Sequence, residues 1–436
     1  MQETGGLLIV ALFLGLMIMG LWVFVVVLVT GVALLYFQAD FNWTRIGLNM
    51  QPVIMDKLTS YDFAALPLFV WMAEILFRAR LSEKIFSGLA PWLGSLPGRL
   101  LHVNVFGCGL FAAVCGSSAA TCATIARITL PELRGRGYDD RLAIGSLAGS
   151  STLGILIPPS IAMVIYSLAS DVSLVRLFLA GFLPGLLVIL LFSGYIVLWA
   201  VLHPDRMPAP DSRASMRERL SAIRNLLPTI GLIAGIMITL VTGLVTPSEV
   251  AAIGVVGALL ISWLNRSLSW ERFKESVNST VQLSCMIMLI LAASAFLSSA
   301  LGYSGLPTKL ANWVGGLGLS QFELILALLL LYAILGTAVD GVSLIVLTIP
   351  VVMPLVTAAK IDLVWFGIFM ILVIEMSELT PPVGFNLFVL QNMSGRDSFY
   401  VGLAALPFFL LLAAVAVIVA VFPQIVLMVP DAVFGK

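Results

Sequence analysis

Small oxygen-bearing residues gather at a few points of an otherwise apolar chain, and at those points chemistry could happen. Gly116-Ser117-Ser118 stands at the centre of the apolar stretch 100–133. Glycine lets backbone carbonyls approach an ion and hydroxyls add hard oxygens, so the trio suits Na⁺ held by neutral ligands at a broken helix end. The plainer reading is a helix N-cap, in which a serine oxygen accepts from orphan N–H groups. Ser150-Ser151-Thr152-Leu153-Gly154 precedes Pro158-Pro159. Proline removes an N–H and breaks the helix, which frees carbonyls beside three hydroxyls. Ser151, Thr152 and Gly154 therefore join Gly116, Ser117 and Ser118 as one candidate cation set. Gly336, Thr337, Asp340 and Gly341, with Thr380-Pro381-Pro382 downstream, make the second set. A simple kink is the bland alternative for either break.

Charged residues within apolar segments are expensive and count as functional candidates by default. Arg127 has a guanidinium shaped to meet a carboxylate; its bland reading is snorkelling, or pairing with an acid on another helix. Glu375 and Glu378, one turn apart before the second break, could bind a cation, carry a proton or pair with Arg127. Asp340 is the acid most expected near an ion. Asn386 and Gln391 are substrate-facing amides or ordinary interhelical hydrogen bonds. Glu74 and Arg78 read as a helix-end i,i+4 pair.

The elements that position these residues follow from a duplication. Pro131, Pro158, Pro159 and Pro184 recur 223 residues later as Pro354, Pro381, Pro382 and Pro407, and Asp139 recurs as Asp362. Paired helix breaks in two halves of an apolar chain point to a secondary transporter and to its binding site. Hydrophobic residues make up 60% of the sequence and charged ones 11%, against roughly 25% charged in soluble domains. The fold class expected is an all-α polytopic membrane protein. Crossings are expected at 5–21, 23–38, 60–77, 142–170 and 175–202, then at 226–244, 248–264, 277–301, 363–392 and 399–427. The stretches 100–133 and 322–358 have arms too short to span. They read as re-entrant hairpins with tips near Gly116 and at Thr337–Gly341. Five crossings per repeat is odd, so the second copy is inverted. Domain by domain, 1–99 and 226–321 read as scaffold, and 100–170 and 322–393 as the moving hairpin and broken-helix parts. The segment 171–225 reads as a closing helix with a cytoplasmic linker (203–225), and 394–436 as the last helix. Asn42-Trp43-Thr44-Arg45 and Ser269-Trp270-Glu271-Arg272 read as matching interfacial helices.

Positive charge orients the scheme. Sixteen Lys or Arg fall in 78–99, 134–141, 204–225, 265–276 and 394–397, and six on the other side. The first set belongs in the cytoplasm, which puts the N-terminus on the periplasmic side of the bacterial inner membrane. The first basic residue is Arg45, so no signal peptide is expected. Zero net charge argues against a nucleic-acid partner. Two histidines and four cysteines show no metal-ligand spacing.

At these residues the chain resembles the large membrane subunit of TRAP transporters. The resemblance lies in Phe111–Thr121 with its Cys115-Gly116-Ser117-Ser118 core, Leu130-Pro131-Glu132-Leu133, Ile157-Pro158-Pro159-Ser160 and Leu379–Val389 with its Thr380-Pro381-Pro382 core. It covers nearly the whole chain. It implies a tripartite ATP-independent periplasmic transporter that takes up organic acids with Na⁺ as coupling ion and no other cofactor. Implied partners are a small four-helix membrane subunit on a separate chain and a periplasmic substrate-binding protein, within the lipid bilayer. The family's sodium sites map onto the two sets above, and its motion is of elevator type. Ser117, Thr121 and Ser160, inside the matching motifs, join Arg127 and Asn386 as candidate substrate contacts. Arg127, Glu375 and Glu378 depart from the pattern of many relatives.

The competing readings are a proton-coupled organic-anion carrier using Glu375, Glu378 or Asp340, an intramembrane enzyme, a passive channel and a structural scaffold. No HExxH, His-Asp or paired catalytic Asp motif supports an enzyme. Duplicated hairpins suit alternating access better than a channel. A scaffold has no need of ionisable residues beside broken helices.

Overall fold

The computed structural model describes residues 2–79, 81–209, 214–337, 339–380 and 384–435, with side chains of 2–7, 10 and 311 left aside. Among the described residues it is helical throughout, with no strand. The first half runs α1 (Gln2–Ile18), α2 (Val23–Phe37), α3 (Trp43–Thr59), α4 (Ala65–Arg78), α5 (Leu81–Leu93), α6 (Leu101–Cys115) and α7 (Ser118–Gly135). It continues through α8 (Asp140–Ser151), α9 (Leu153–Leu156), α10 (Ile161–Ser170) and α11 (Leu174–Leu202). The second half runs α12 (Met216–Val241), α13 (Pro247–Leu264), α14 (Trp270–Ser304), α15 (Leu306–Gly316), α16 (Gln321–Leu335) and α17 (Gly341–Ala358). It closes with α18 (Leu363–Ser377), α19 (Phe385–Ser394), α20 (Ser398–Val421) and α21 (Gln424–Phe434).

The duplication holds element by element. Shifting α7 by 223 residues gives the bounds of α17, and shifting the start of α8 gives the start of α18. The caps repeat as well. Asp139 accepts from the Leu142 N–H at 2.9 Å and Asp362 from those of Val364 and Trp365 at 2.8 and 2.9 Å. A side-chain oxygen at an N-cap satisfies donors that the helix itself leaves orphaned. The recurring aspartates are therefore helix starts rather than ion ligands.

The two hairpins are α6–α7 and α16–α17. Between them lie the most enclosed helices: Leu142–Ser151 of α8 and Val364–Ser377 of α18 are buried throughout. A helix apolar on all faces belongs in a protein interior or a bilayer. Here the neighbours are protein, so the breaks that end these helices are sheltered from lipid, the condition for irregular backbone at membrane depth. Outside this core, α14 packs against α2, α3, α4 and α17. A second apolar cluster, including Val27, Leu34, Ile46, Phe296 and Leu347, fills that seam. Arg78 meets Glu74 at 3.2 Å, as the i,i+4 spacing suggests, and also Glu275 at 2.7 Å, tying α4 to α14.

Four expectations need correction. The two matching segments do not form two alike interfacial helices: α3 bends by 52° into the segment that follows it, whereas α14 runs unbroken for 35 residues, about 52 Å at 1.5 Å per residue. The linker is shorter than 203–225, because Ser215 and Glu218 form a capping box that starts α12 at Met216. The last crossing stops at Val421 rather than 427; Pro423 lacks an N–H and restricts the residue before it, and α21 turns back against α11. The short helices α5 and α15, which enter the two hairpins, were not foreseen.

Candidate functional site

The sequence places glycine and hydroxyl residues where helices must stop, and the fold brings four such stops to one cavity of about 490 Å³. The first tip contributes Gly116, Ser117 and Ser118, and the second Asp340 and Gly341. The breaks contribute Ile155 and Ile161 on one side, and Glu378 and Phe385 on the other. Leu283 and Ile287 of α14 close a wall. Nothing in the sequence marked those two beyond their place on a long apolar helix.

Each tip is held by a cap on its second arm. Ser117 accepts from the Ala120 N–H at 3.5 Å, and Asp340, its equivalent 223 residues on, accepts from the Ser343 N–H at 3.1 Å. Two glycines make the first tip's geometry attainable. Gly116 sits at φ +62°, a left-handed conformation that costs other residues free energy. Gly154 lies so close to the tip that a Cβ there would stand 2.5 Å from Ser118 Cα and 2.6 Å from its nitrogen.

One carboxylate ties three of these parts together. Glu375, 0% exposed at the end of α18, accepts from the Ser118 hydroxyl at 3.0 and 3.2 Å and from the Ile155 N–H at 3.2 Å. It thereby joins the first tip, the first break and the helix leading into the second break. Glu378, one turn on, lines the cavity. The Asn386 amide and the Asp340 carboxylate are near enough to be felt by its charge. Yet Glu378 Oε2 and both side-chain amide atoms of Asn386 are buried without a hydrogen-bond partner, as are the Thr121 and Ser150 hydroxyls. Buried polar atoms are nearly always satisfied, so a cluster of orphans beside a cavity marks a place built for something else to bind.

The surroundings of the cavity are unequal. On α7 the face Thr124, Arg127, Pro131 is partly or fully exposed, and on the adjoining α19 so is the face Phe385, Phe388, Asn392. The equivalent helices of the other repeat, α17 and α10, pack against α14 and have few exposed positions. At the foot of α7, Asp140 meets Arg134 at 2.7 Å and Arg396 at 2.8 Å, joining the α7–α8 turn to the α19–α20 turn. Partial burial pushes the Asp140 carboxyl up, but the two guanidiniums outweigh it and hold it below the usual carboxylate range. At the opposite end Lys57 after α3 reaches Asp171 after α10 at 2.9 Å.

Over residues 10–425 the sequence matches the family model for the tripartite ATP-independent periplasmic transporter, DctM component. The chain belongs to this family. It is similar to the C4-dicarboxylate TRAP transporter large permease protein DctM of Pseudomonas aeruginosa, 31% identical over 372 residues, 85% of this chain and 86% of that one. It is likewise similar to the ectoine/5-hydroxyectoine TRAP transporter large permease protein UehC of Ruegeria pomeroyi, 30% identical over 374 residues, again 85% and 86%. Among solved structures it resembles in fold the Alcanivorax borkumensis YdaH transporter, whose crystal structure revealed an unusual topology. That likeness has a TM-score of 0.65 at 14% identity, over 88% of this chain and 90% of that one.

For this TRAP large subunit the candidate residues divide by position. Gly116, Ser117, Ser118, Asp340 and Gly341 share the cavity. Thr337 stands beside it with its hydroxyl on the Ile334 carbonyl, and the Thr380 hydroxyl is turned to those of Met376 and Ser377. Ser151 and Thr152 are buried in α8, donating to the Ala148 and Gly149 carbonyls. Gly154 serves the tip through close packing. Ser160 caps α10 and donates to the Ile155 carbonyl at 2.6 Å. Thr121 is buried beside the Cys115 thiol. Arg127 is exposed, nine residues along α7 from Ser118, and is not among the cavity's residues. Glu375 pairs with neutral donors rather than with Arg127, because the arginine points off the bundle on the opposite side of α7 from the buried face. Pro381 and Pro382 lie outside the described residues.

Proposed function

We propose that the chain is the carrier of a tripartite system, taking up a carboxylate-bearing solute delivered by a periplasmic binding protein, with Na⁺ as the driving ion. One observation carries this reading: two hairpin tips and two helix breaks converge on one cavity edged by unsatisfied polar atoms. A channel needs a continuous pore, whereas a carrier needs a closed site whose walls can change partners. The relatives' names support the solute class, since one carries C4-dicarboxylates and another ectoine. In this reading the small membrane subunit is a separate chain and the assembly sits in the bacterial inner membrane, N-terminus outside.

The hairpins with α8–α10 and α18–α19 form the part that moves, and α14 with α2–α4 the part that stays. The exposed α7 and α19 faces lie on the side rich in Lys and Arg, so the carrier stands open toward the cytoplasm. Lys57–Asp171 joins the two parts at the periplasmic end. Cation binding at the tips uses the carbonyl of Gly116, the hydroxyl of Ser117 and the carboxylate of Asp340. Each cation carried inward adds about 2.3 kcal/mol of driving force per 100 mV.

Purified chain in lipid nanodiscs tests the ion. Its thermal midpoint rises with Na⁺ and not with equal K⁺, and Asp340→Asn weakens the rise. A ligand at 100 times its Kd adds about 2.7 kcal/mol. Equal midpoints in the two salts refute the Na⁺ site.

A further inference from the structure

The charge of the cavity constrains what it can hold. Its polar lining comprises Ser117, Ser118, Asp340 and Glu378, and no Lys, Arg or His side chain lines it among the described residues. Asp340 and Glu378 come from different elements and are close enough to repel. Arg127, the side chain best suited to a carboxylate, is elsewhere. A solute with only anionic groups would meet two carboxylates and no basic partner, and like charges at short range in a low-dielectric site cost several kcal/mol.

A second feature is independent of the acids. The Asn386 side chain is 0% exposed, and its carbonyl oxygen and amide nitrogen both lack partners beside Glu378. An amide oxygen next to a carboxylate oxygen makes a pair of acceptors for one N–H-bearing or cationic group. Across the cavity lies the start of α7, an 18-residue helix whose N-terminal end favours negative charge. The cavity is thus polarised, with acceptors at the second break and a positive helix end at the first tip. Its volume of about 490 Å³ falls within the usual range for small-molecule sites.

We propose that the transported solute is zwitterionic: a carboxylate that also bears a cationic nitrogen. The nitrogen seats against Glu378, Asp340 and Asn386, and the carboxylate sits at the start of α7. This rests on the reading of the cavity as the solute site. It narrows that reading, because a dicarboxylate or a sulfonate has no group for the acidic end.

The cognate binding protein supplies the probe. Native mass spectrometry of that protein, purified without added solute, identifies the compound it retains. That labelled compound and its analogue lacking the nitrogen are then offered to proteoliposomes holding the complete three-part system. The expected result is a zwitterion, an analogue taken up at least 10-fold less well, and a KM raised at least 10-fold in Glu378→Gln with kcat within a few-fold. Glu378→Asp, which keeps the charge, recovers part of the affinity and shows that Gln has not merely unfolded the site. A retained compound with anionic groups alone overturns the inference while leaving the transport reading standing. So does a zwitterion whose KM is unchanged in Glu378→Gln. No uptake of the retained compound by the wild-type system would instead remove the transport reading.

Discussion

Gly154→Ala is the sharpest perturbation of the site, because the structure leaves the new methyl nowhere to go. The added Cβ would lie 2.5 Å from Ser118 Cα, 2.6 Å from Ser118 N and 2.7 Å from Ser117 C, where ordinary contact begins at 3.4 Å. All three atoms are backbone, so no side chain can swing aside. The first tip must retreat by roughly 1 Å, and overpacking of that kind costs about 1–3 kcal/mol. The same retreat lengthens the 3.0 Å contact from the Ser118 hydroxyl to Glu375 beyond hydrogen-bonding range. An ångström of misplacement at a binding constellation can cost about 100-fold in rate. The expected outcome is a thermal midpoint several degrees lower in nanodiscs and uptake reduced at least 10-fold in proteoliposomes. Gly231→Ala, in α12 with nothing within 4 Å of the new methyl, is the control. It should leave uptake intact and stabilise by up to about 1 kcal/mol. A Gly154→Ala protein with wild-type midpoint and uptake would refute the claim that tip and break are locked by backbone contact.

Other outcomes follow from the same geometry. Glu375→Ala strands the Ser118 hydroxyl and the Ile155 N–H, at about 1–3 kcal/mol each, so its midpoint should fall well below that of Glu375→Gln, which keeps an acceptor; equal midpoints would show that the hydrogen bonds do not hold the tip. Arg127→Ala should change the uptake KM by less than about threefold, since the side chain is exposed and off the cavity; a 100-fold rise would return Arg127 to the binding site. Asp140→Asn removes a carboxylate held below its usual range by Arg134 and Arg396. Such a group contributes stability above its unfolded pKa of about 3.9 and loses it as pH falls through the lower folded value. The variant should therefore be less stable than wild type at pH 7, by about 1 kcal/mol at most for a solvent-screened cluster. The gap should close in acid; one that is constant with pH would rule out the ion pairs as its source.

Much of the architecture was legible because duplication left marks that do not depend on propensity. Four prolines and an aspartate at one offset located both hairpins and both breaks, and the charge asymmetry set their orientation. The capping box at Ser215 and Glu218 was also visible in the letters, but the Arg-rich composition around it suggested a loop. The continuity of α14 was hidden, since its polar N-terminal third resembles a surface helix until the packing of α2, α3 and α4 along its length is known. At the site, glycine and hydroxyl residues announced the tips, yet sequence treats every hydroxyl alike. Only the fold separates Ser117 and Ser118, which reach the cavity, from Ser151 and Thr152, whose hydroxyls are spent on their own helix. Glu375 was seen as charged and buried, but its partner Ser118 is 257 residues away, and no local pattern encodes such a contact. Arg127 misled for a related reason. Position along a helix was readable, and the direction it faced was not.

The most direct test of the central claim is solute uptake into proteoliposomes containing this chain, its small membrane subunit and the cognate binding protein, first under an inward Na⁺ gradient and then under an inward H⁺ gradient alone. The account predicts accumulation of the compound retained by the binding protein only when Na⁺ and that protein are both present, and its loss in Gly154→Ala. Accumulation driven by H⁺ without Na⁺ would contradict the cation assignments at both tips and transfer the coupling role to Glu375 and Glu378.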